Sequence, residues 1–509
     1  MRTLPAGLVA GSLFCALASG QQFDLVDVTG RCGIDFDDST GRMGIAIGDF
    51  DDDGWQDVAI FGANDETPIL YRNQGALIRA GNDVPWFRDV TAQYFPPNDF
   101  ATSLGAFADM DNDGDQDIVV VRRAYSPVLG GPDEATGAIA YYENRIDTTG
   151  RFEMGTSPLR VAYSPARVST LALVDQDGDS DLDAFIGYGG VNGDFSDSRC
   201  FYVRNDGLPN LVDASDTFGL PLASIPRLLT ASFADFDGDM LPDLHGAVDF
   251  YSDLHAKNMG GGSFLDVTLA AGTTNLGADM GLAIGDIDND LDLDIYSTNI
   301  NYGILYVNDG TATFTEQSAA RGCRSFNGLT TTIGWGTNFV DLDNDRDLDL
   351  TMVPAGPGAG HVWRNDGTGH FVKVTAATGI ELRGYAIIDF DLDRDGDQDL
   401  LFLGNNDDFT PRMYLNTSSA VNHWLVVELE GTTSNRDAIG AQVIVRTPEG
   451  TEQMRALMAG HSYRVGTPKT MHFGLGDAST VQEIEVRWPN GQVMRRGPFP
   501  ADRYVKFRE

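Results

Sequence analysis

Asp49-Phe50-Asp51-Asp52-Asp53-Gly54-Trp55-Gln56-Asp57 sets three carboxylates at alternate positions, a glycine after the third, and a fourth carboxylate three residues on. Alternate positions in a curled loop bring oxygen ligands together, and glycine permits the left-handed backbone that a sharp curl needs. Carboxylates packed this closely repel unless a cation sits among them. Calcium fits this pattern best, because it accepts six to eight oxygen ligands in flexible geometry, whereas magnesium prefers a tighter octahedron and retains its waters.

The pattern recurs seven times. Counting the first aspartate as position one, positions one, three, five, seven and nine are the candidate ligands. They are Asp49, Asp51, Asp53, Trp55 and Asp57, then Asp109, Asp111, Asp113, Asp115 and Asp117, then Asp175, Asp177, Asp179, Asp181 and Asp183. The fourth and fifth loops offer Asp235, Asp237, Asp239, Leu241 and Asp243, and Asp286, Asp288, Asp290, Asp292 and Asp294. The last two offer Asp341, Asp343, Asp345, Asp347 and Asp349, and Asp391, Asp393, Asp395, Asp397 and Asp399. Up to seven calcium ions are expected. Trp55 and Leu241 have no ligating side chain, so position seven is expected to contribute its backbone carbonyl. An EF-hand requires glutamate at position twelve; Ile60, Val120, Ile186, Gly246, Ser297, Met352 and Phe402 stand there instead. Gly54, Gly114 and Gly396 keep the glycine at position six, while Ser180, Met240, Leu291 and Arg346 replace it. Those four loops are expected to bear a steric penalty or to bend differently, and so to bind more weakly, Arg346 least favourably; Gly178 and Gly238 are candidate compensations.

Between loops the repeat carries an apolar run such as Ile118-Val119-Val120-Val121, an aromatic strand ending in asparagine such as Val362-Trp363-Arg364-Asn365, and a Phe-x-x-Val-Thr segment such as Phe264-Leu265-Asp266-Val267-Thr268. Four short strands in 50 to 66 residues is the content of one propeller blade. Seven repeats predict an all-β, seven-bladed β-propeller. Phe23–Thr29 resembles the last strand of a repeat with no loop before it, and the seventh repeat lacks that strand. The N-terminal segment is therefore expected to complete the last blade, which leaves no exposed sheet edge.

Charge divides the chain of 509 residues. Residues 21–416 hold 65 acidic and 23 basic residues, whereas 417–509 hold 10 and 11. The formal charge of −40 excludes nucleic acid and anionic membrane as natural partners and favours cations. Trp424–Leu429, Ala441–Val445 and Val481–Val486 read as strands of a small β-sandwich-like domain. Residues 1–20 read as a signal peptide, with Arg2, the apolar run Leu8–Ala18 and small residues before Gln21. No later run is long enough to span a membrane. The expected location is secreted or extracellular, with periplasm or cell surface open for a bacterial source. Cys32, Cys200 and Cys323 permit at most one disulfide. Asn416-Thr417-Ser418 forms a glycosylation sequon.

These residues resemble a known family. The aspartate loops and their strands are similar to FG-GAP or VCBS-type repeats, also used in the integrin α-subunit propeller. Asn422-His423-Trp424-Leu425, Ser434–Ala441, His472-Phe473-Gly474-Leu475-Gly476 and Trp488-Pro489-Asn490-Gly491 resemble the UnbV/ASPIC domain. The combination resembles the cartilage acidic protein family and its bacterial relatives. After the signal peptide of 1–20, the likeness implies a propeller over 21–418 and an UnbV/ASPIC domain over 419–509. It further implies an extracellular calcium-binding scaffold or adhesion module with a protein or glycan ligand, calcium being mainly structural. Neither HExxH nor GxSxG occurs, so catalysis is not expected. The alternatives are a lectin-like carbohydrate binder, with Trp86, Tyr94, Phe95 and Tyr188 as stacking candidates, or a propeller-type carbohydrate-active enzyme.

Overall fold

The computed structural model describes residues 23–35, 42–62, 68–95, 102–121, 139–155, 168–189, 198–324, 332–355, 360–378, 384–404, 411–418 and 422–509. The expected signal peptide lies outside them.

Residues 23–416 build seven four-stranded antiparallel sheets. The first comprises Arg42–Gly48, Asp57–Gly62, Ile69–Asn73 and Phe87–Asp89. Five more repeat that order. They begin at Leu104, Val168, Leu228, Leu282 and Ile333 and end with the strands Arg151–Gly155, Leu211–Asp213, Phe264–Asp266, Thr315–Glu316 and Phe371–Lys373. The seventh takes Ala386–Phe390, Asp399–Leu403 and Arg412–Asn416 from the end of the array and Leu25–Asp27 from its start. Leu25 pairs with Asn416 and Asp27 with Tyr414, so the N-terminal strand joins the last sheet, as the order of elements predicts.

Apolar pattern decides each strand's place. The second strands, such as Asp117–Val121 and Asp399–Leu403, are buried throughout, matching their unbroken apolar runs. Most fourth strands bury one residue and expose two, as in Phe264–Asp266. The apolar clusters lie between consecutive sheets. One joins the first sheet (Phe61, Leu70) to the second (Phe107, Ile118). Another joins the seventh (Ile388, Leu401, Met413) to the first (Ile45, Val58, Tyr71). The first strand of the seventh sheet lies beside that of the first. The architecture is all-β and propeller-like.

The C-terminal residues form two principal sheets around their own core of Leu425, Val427, Val443, Phe473, Ile484 and Trp488. One sheet contains Thr470–Gly476, His423–Glu430 and Arg503–Arg508; the other contains Glu452–Ala456, Gln442–Arg446, Glu483–Arg487 and Val493–Arg496. A segment of this module enters the space between the first strands of the seven sheets. Val465–Gly466 pairs in parallel with Ile45 and Ala46, and the Ala459 carbonyl accepts from Leu173 N–H at 3.1 Å. Ser462 N–H donates to the Leu282 carbonyl at 2.8 Å, and Tyr463 packs on Trp335 with ring centroids 4.5 Å apart. Nothing local in residues 457–469 signals this insertion.

Two expectations are corrected, and the cysteine bound is met with no bridge among the described residues. Trp86, Tyr94, Phe95 and Tyr188 are buried, so they offer no stacking surface. Asn416 of the sequon is fully buried, and its amide donates to the carbonyls of Leu342 and Gln398, which leaves it inaccessible to a glycosylating enzyme. Cys32, Cys200 and Cys323 are all buried free thiols; burial pushes Cys32 and Cys323 up to about 12.

Candidate cation loops and the module that covers them

Each aspartate loop joins the first and second strands of its sheet, and all seven curl alike. The first aspartate accepts the N–H of position six at 2.8–3.2 Å. The fifth accepts the N–H of position seven at 2.9–3.2 Å. Those bonds require a left-handed residue at position six. Gly54, Gly114 and Gly396 supply it, and Ser180, Met240, Leu291 and Arg346 adopt it too, with φ between 67° and 91°. Of the two outcomes expected for these four loops, the structure shows the first: the repeated hydrogen bonds hold them in the same turn despite the Cβ penalty. Position four is also left-handed in every loop, at Asp52, Asn112, Gly178, Gly238, Asn289, Asn344 and Arg394. Gly178 and Gly238 thus serve position four and do not compensate for position six. Arg346 turns its side chain away from its loop, donating to the Leu475 carbonyl at 2.8 Å and pairing with Asp477 at 2.9 Å.

Carboxylate oxygens of positions one, three and five converge within 4.8 Å in the loops starting at Asp49, Asp175, Asp235 and Asp286; in the second loop Asp109, Asp111 and Asp117 do so. The Oδ1 atoms of Asp51, Asp237, Asp288, Asp343 and Asp393 are buried and find no hydrogen-bond donor among the described residues. All five stand at position three. Burial, followed by repulsion from Asp53, Asp51 and Asp52, outweighs a backbone hydrogen bond and raises Asp49 to about 7. Burial likewise raises Asp109, Asp286 and Asp393 to about 7. Unpartnered hard oxygens at the same point of five loops, on groups that resist ionising together, are the donor set a calcium ion satisfies.

At position seven, Asp181, Asp347 and Asp397 turn their carboxylates to the neighbouring loop, accepting from Asn112, Asn289 and Asn344. Position nine has a second role. Its carboxylate accepts the N–H of the asparagine closing the third strand in all seven sheets, at 2.7–2.9 Å.

That asparagine is a functional residue whose role the repeat pattern does not disclose. Asn144 donates to the Phe50 carbonyl in the preceding loop and to the Gln116 carbonyl in its own. Asn205, Asn308, Asn365 and Asn416 reach Met110, Phe236, Ile287 and Leu342 in the same way. Asn73 of the first sheet reaches Leu392 of the last loop at 3.1 Å. The residue before this asparagine is a second such case. Arg72 pairs with Asp51 and Asp53, Lys257 with Asp237 and Asp239, and Arg364 with Asp343 and Asp345. The x-Arg-Asn and x-Lys-Asn strand ends are the signal for these internal cations.

The C-terminal module covers the loop face. Tyr504 OH donates to Asp391 Oδ2 at 2.6 Å, Gln442 Nε2 to Asp235 Oδ2 at 3.3 Å, and Asp109 N–H to Asp437 Oδ2 at 3.0 Å. Arg455 lies half-buried within the electrostatic reach of Asp341, Asp286 and Asp347. Around the first, second and seventh loops the two modules enclose a cavity of about 620 Å³.

Two family models match this chain. The FG-GAP-like repeat matches residues 49–120 and 341–402, and the domain described as ASPIC and UnbV matches 431–509. The chain therefore carries FG-GAP-like repeats and a C-terminal ASPIC/UnbV domain. No curated protein matches it. Among solved structures, an Agrocybe aegerita lectin that recognises non-reducing terminal N-acetylglucosamine is 18% identical over 65% of this chain and 79% of its own, with a TM-score of 0.40. Sqt1 of Saccharomyces cerevisiae is 12% identical over 78% of this chain and 99% of its own, with a TM-score of 0.42. No helix among the described residues is long and apolar enough to cross a membrane.

Proposed function

We propose that this protein is a secreted, calcium-stabilised scaffold that presents a binding surface outside the cell. In this reading a closed seven-bladed propeller spans 21–418, and the ASPIC/UnbV domain of 419–509 is locked onto its loop face. The observation that carries it is the set of buried, unpartnered position-three oxygens recurring in loops of one conformation. Closure is supported by the strand Leu25–Asp27 in the last sheet and by the Asn73 bond across the first and last repeats. The ions are mainly structural, each neutralising a loop that the neighbouring asparagine and the C-terminal module also grip.

Supporting a binding role over catalysis, His245, His255 and His361 are buried, and desolvation drives His255 down to about 4 and His361 to about 3. These imidazoles are packing groups, held neutral.

Isothermal titration of the chelated protein with calcium tests the reading. Multiple tight ions per chain, up to about one for each loop, are expected. Heats no larger than those of buffer alone would refute it.

A further inference from the structure

The C-terminal module covers the loop end of the sheets, and the fourth sheet exposes apolar side chains at its opposite end. Among the described residues thirteen large hydrophobic side chains are exposed, and seven of them fall between Leu228 and Gly281, the fourth sheet and its connection to the fifth. Four of the seven stand at the end away from the loops. Phe250 and Tyr251, 57% and 48% exposed, lie in the turn between the second strand, Asp243–Val248, and the third, Leu254–Asn258. Leu269, 85% exposed, lies on the single helical turn Thr268–Ala271 that follows the fourth strand. Leu276, 80% exposed, lies in the connection, which a backbone bridge between Asp249 and Ala278 fastens to the Phe250 turn. Exposed leucines scattered singly need no explanation, but a cluster on one sheet marks a surface that a partner covers.

The backbone holds this cluster outward. Phe250 takes φ 63°, a conformation costly for a bulky side chain. Its ring stays exposed, with the Arg227 guanidinium 4.7 Å from its centroid. Backbone strain of this kind collects at sites of binding.

Charge and shape choose the occupant. Arg227 is paired with Asp249, and Asp249, Asp253 and Asp279 are all buried, so the cluster's own carboxylates are withdrawn from its surface. Around it the chain is acidic: Asp216 and Asp266 are exposed, and residues 21–416 hold 65 acidic against 23 basic residues. A second copy would bring the same net charge of −40, which opposes self-association. A sugar stacks on flat rings, and the two most exposed side chains here are leucines. Apolar side chains in an acidic surround fit a protein whose own apolar residues are ringed by lysine and arginine.

We propose that the end of the fourth sheet formed by Phe250, Tyr251, Leu269 and Leu276 docks a protein partner with an apolar centre and a basic rim. This rests on the reading of the chain as a binding scaffold and names the class of its partner.

Two fluorescein-labelled helical peptides test it, one with a leucine and phenylalanine face rimmed by lysines, the other with the same face rimmed by glutamates. Anisotropy is read with the calcium-loaded full chain in about 0.15 M salt. Wild type is compared with the double variant Leu269→Ser, Leu276→Ser, whose fold circular dichroism verifies. The lysine-rimmed peptide is expected to bind wild type saturably and the variant about tenfold more weakly, and the glutamate-rimmed peptide to bind neither. Equal affinity of the lysine-rimmed peptide for both proteins would show attraction by charge alone and overturn the proposal. So would absence of binding, or equal binding of the two peptides. A wild-type dimer in sedimentation velocity that the variant abolishes would overturn it in favour of a second copy. Calcium titration reads the loops and not this surface, so the two readings fail separately.

Discussion

Asn144 shows how much one side chain can carry. Its amide bridges the carbonyl of Phe50 in the preceding loop and that of Gln116 in its own, while its N–H satisfies Asp117. Asn144→Ala would leave two buried carbonyls unpaired at about 1–3 kcal/mol each. A loss of roughly 2–4 kcal/mol of unfolding free energy is expected by urea denaturation in calcium. A loss near zero would show that water replaces the amide and that the latch is dispensable. The sequence displays this asparagine at the end of strand after strand, so its position was legible. Its role was not, because its partner Phe50 lies 94 residues away. The left-handed turn at Met240 and Leu291 was hidden for a related reason. Residue type predicts strain at those positions, whereas the hydrogen bonds that enforce the turn appear only when the loop is built.

Among the elements, the four-stranded blade units were the most readable. Alternating aspartates mark one turn, unbroken apolar runs mark the buried second strand, and Phe-x-x-Val-Thr marks the fourth. The C-terminal strands were legible by alternation, yet their charges were not. Glu485 sits on the central strand Glu483–Arg487, where Arg446 and Arg495 reach it from the flanking strands and Arg487 from its own. Burial alone would raise this carboxyl, but the three guanidiniums outweigh it and hold Glu485 at about 2. A folded value below the unfolded one means that the contribution is full above about pH 4.5 and fades as pH falls toward 2. Wild type is thus expected to exceed Glu485→Gln in denaturant midpoint at pH 6, with the gap closing toward pH 2. A gap independent of pH would show that packing, not charge, sets the contribution.

For the whole molecule, the division into an acidic array and a charge-balanced tail was visible in composition, but their relation was not. The segment Ala459–Gly466 occupies the space between the first strands, and Arg455, Gln442 and Tyr504 meet the aspartate loops of distant repeats. Local pattern cannot disclose such contacts, because their partners lie more than a hundred residues away. They make the loops part of the joint between modules as well as of each sheet. Charge neutralisation in the loops should therefore be felt by the entire fold. Ligands that bind only the folded state add about 2.7 kcal/mol per site at a hundred times the dissociation constant. Scanning calorimetry with calcium and after exhaustive chelation addresses this directly. The account predicts a marked fall in melting temperature on chelation, restored by adding calcium back. An unchanged transition in metal-free protein would contradict it.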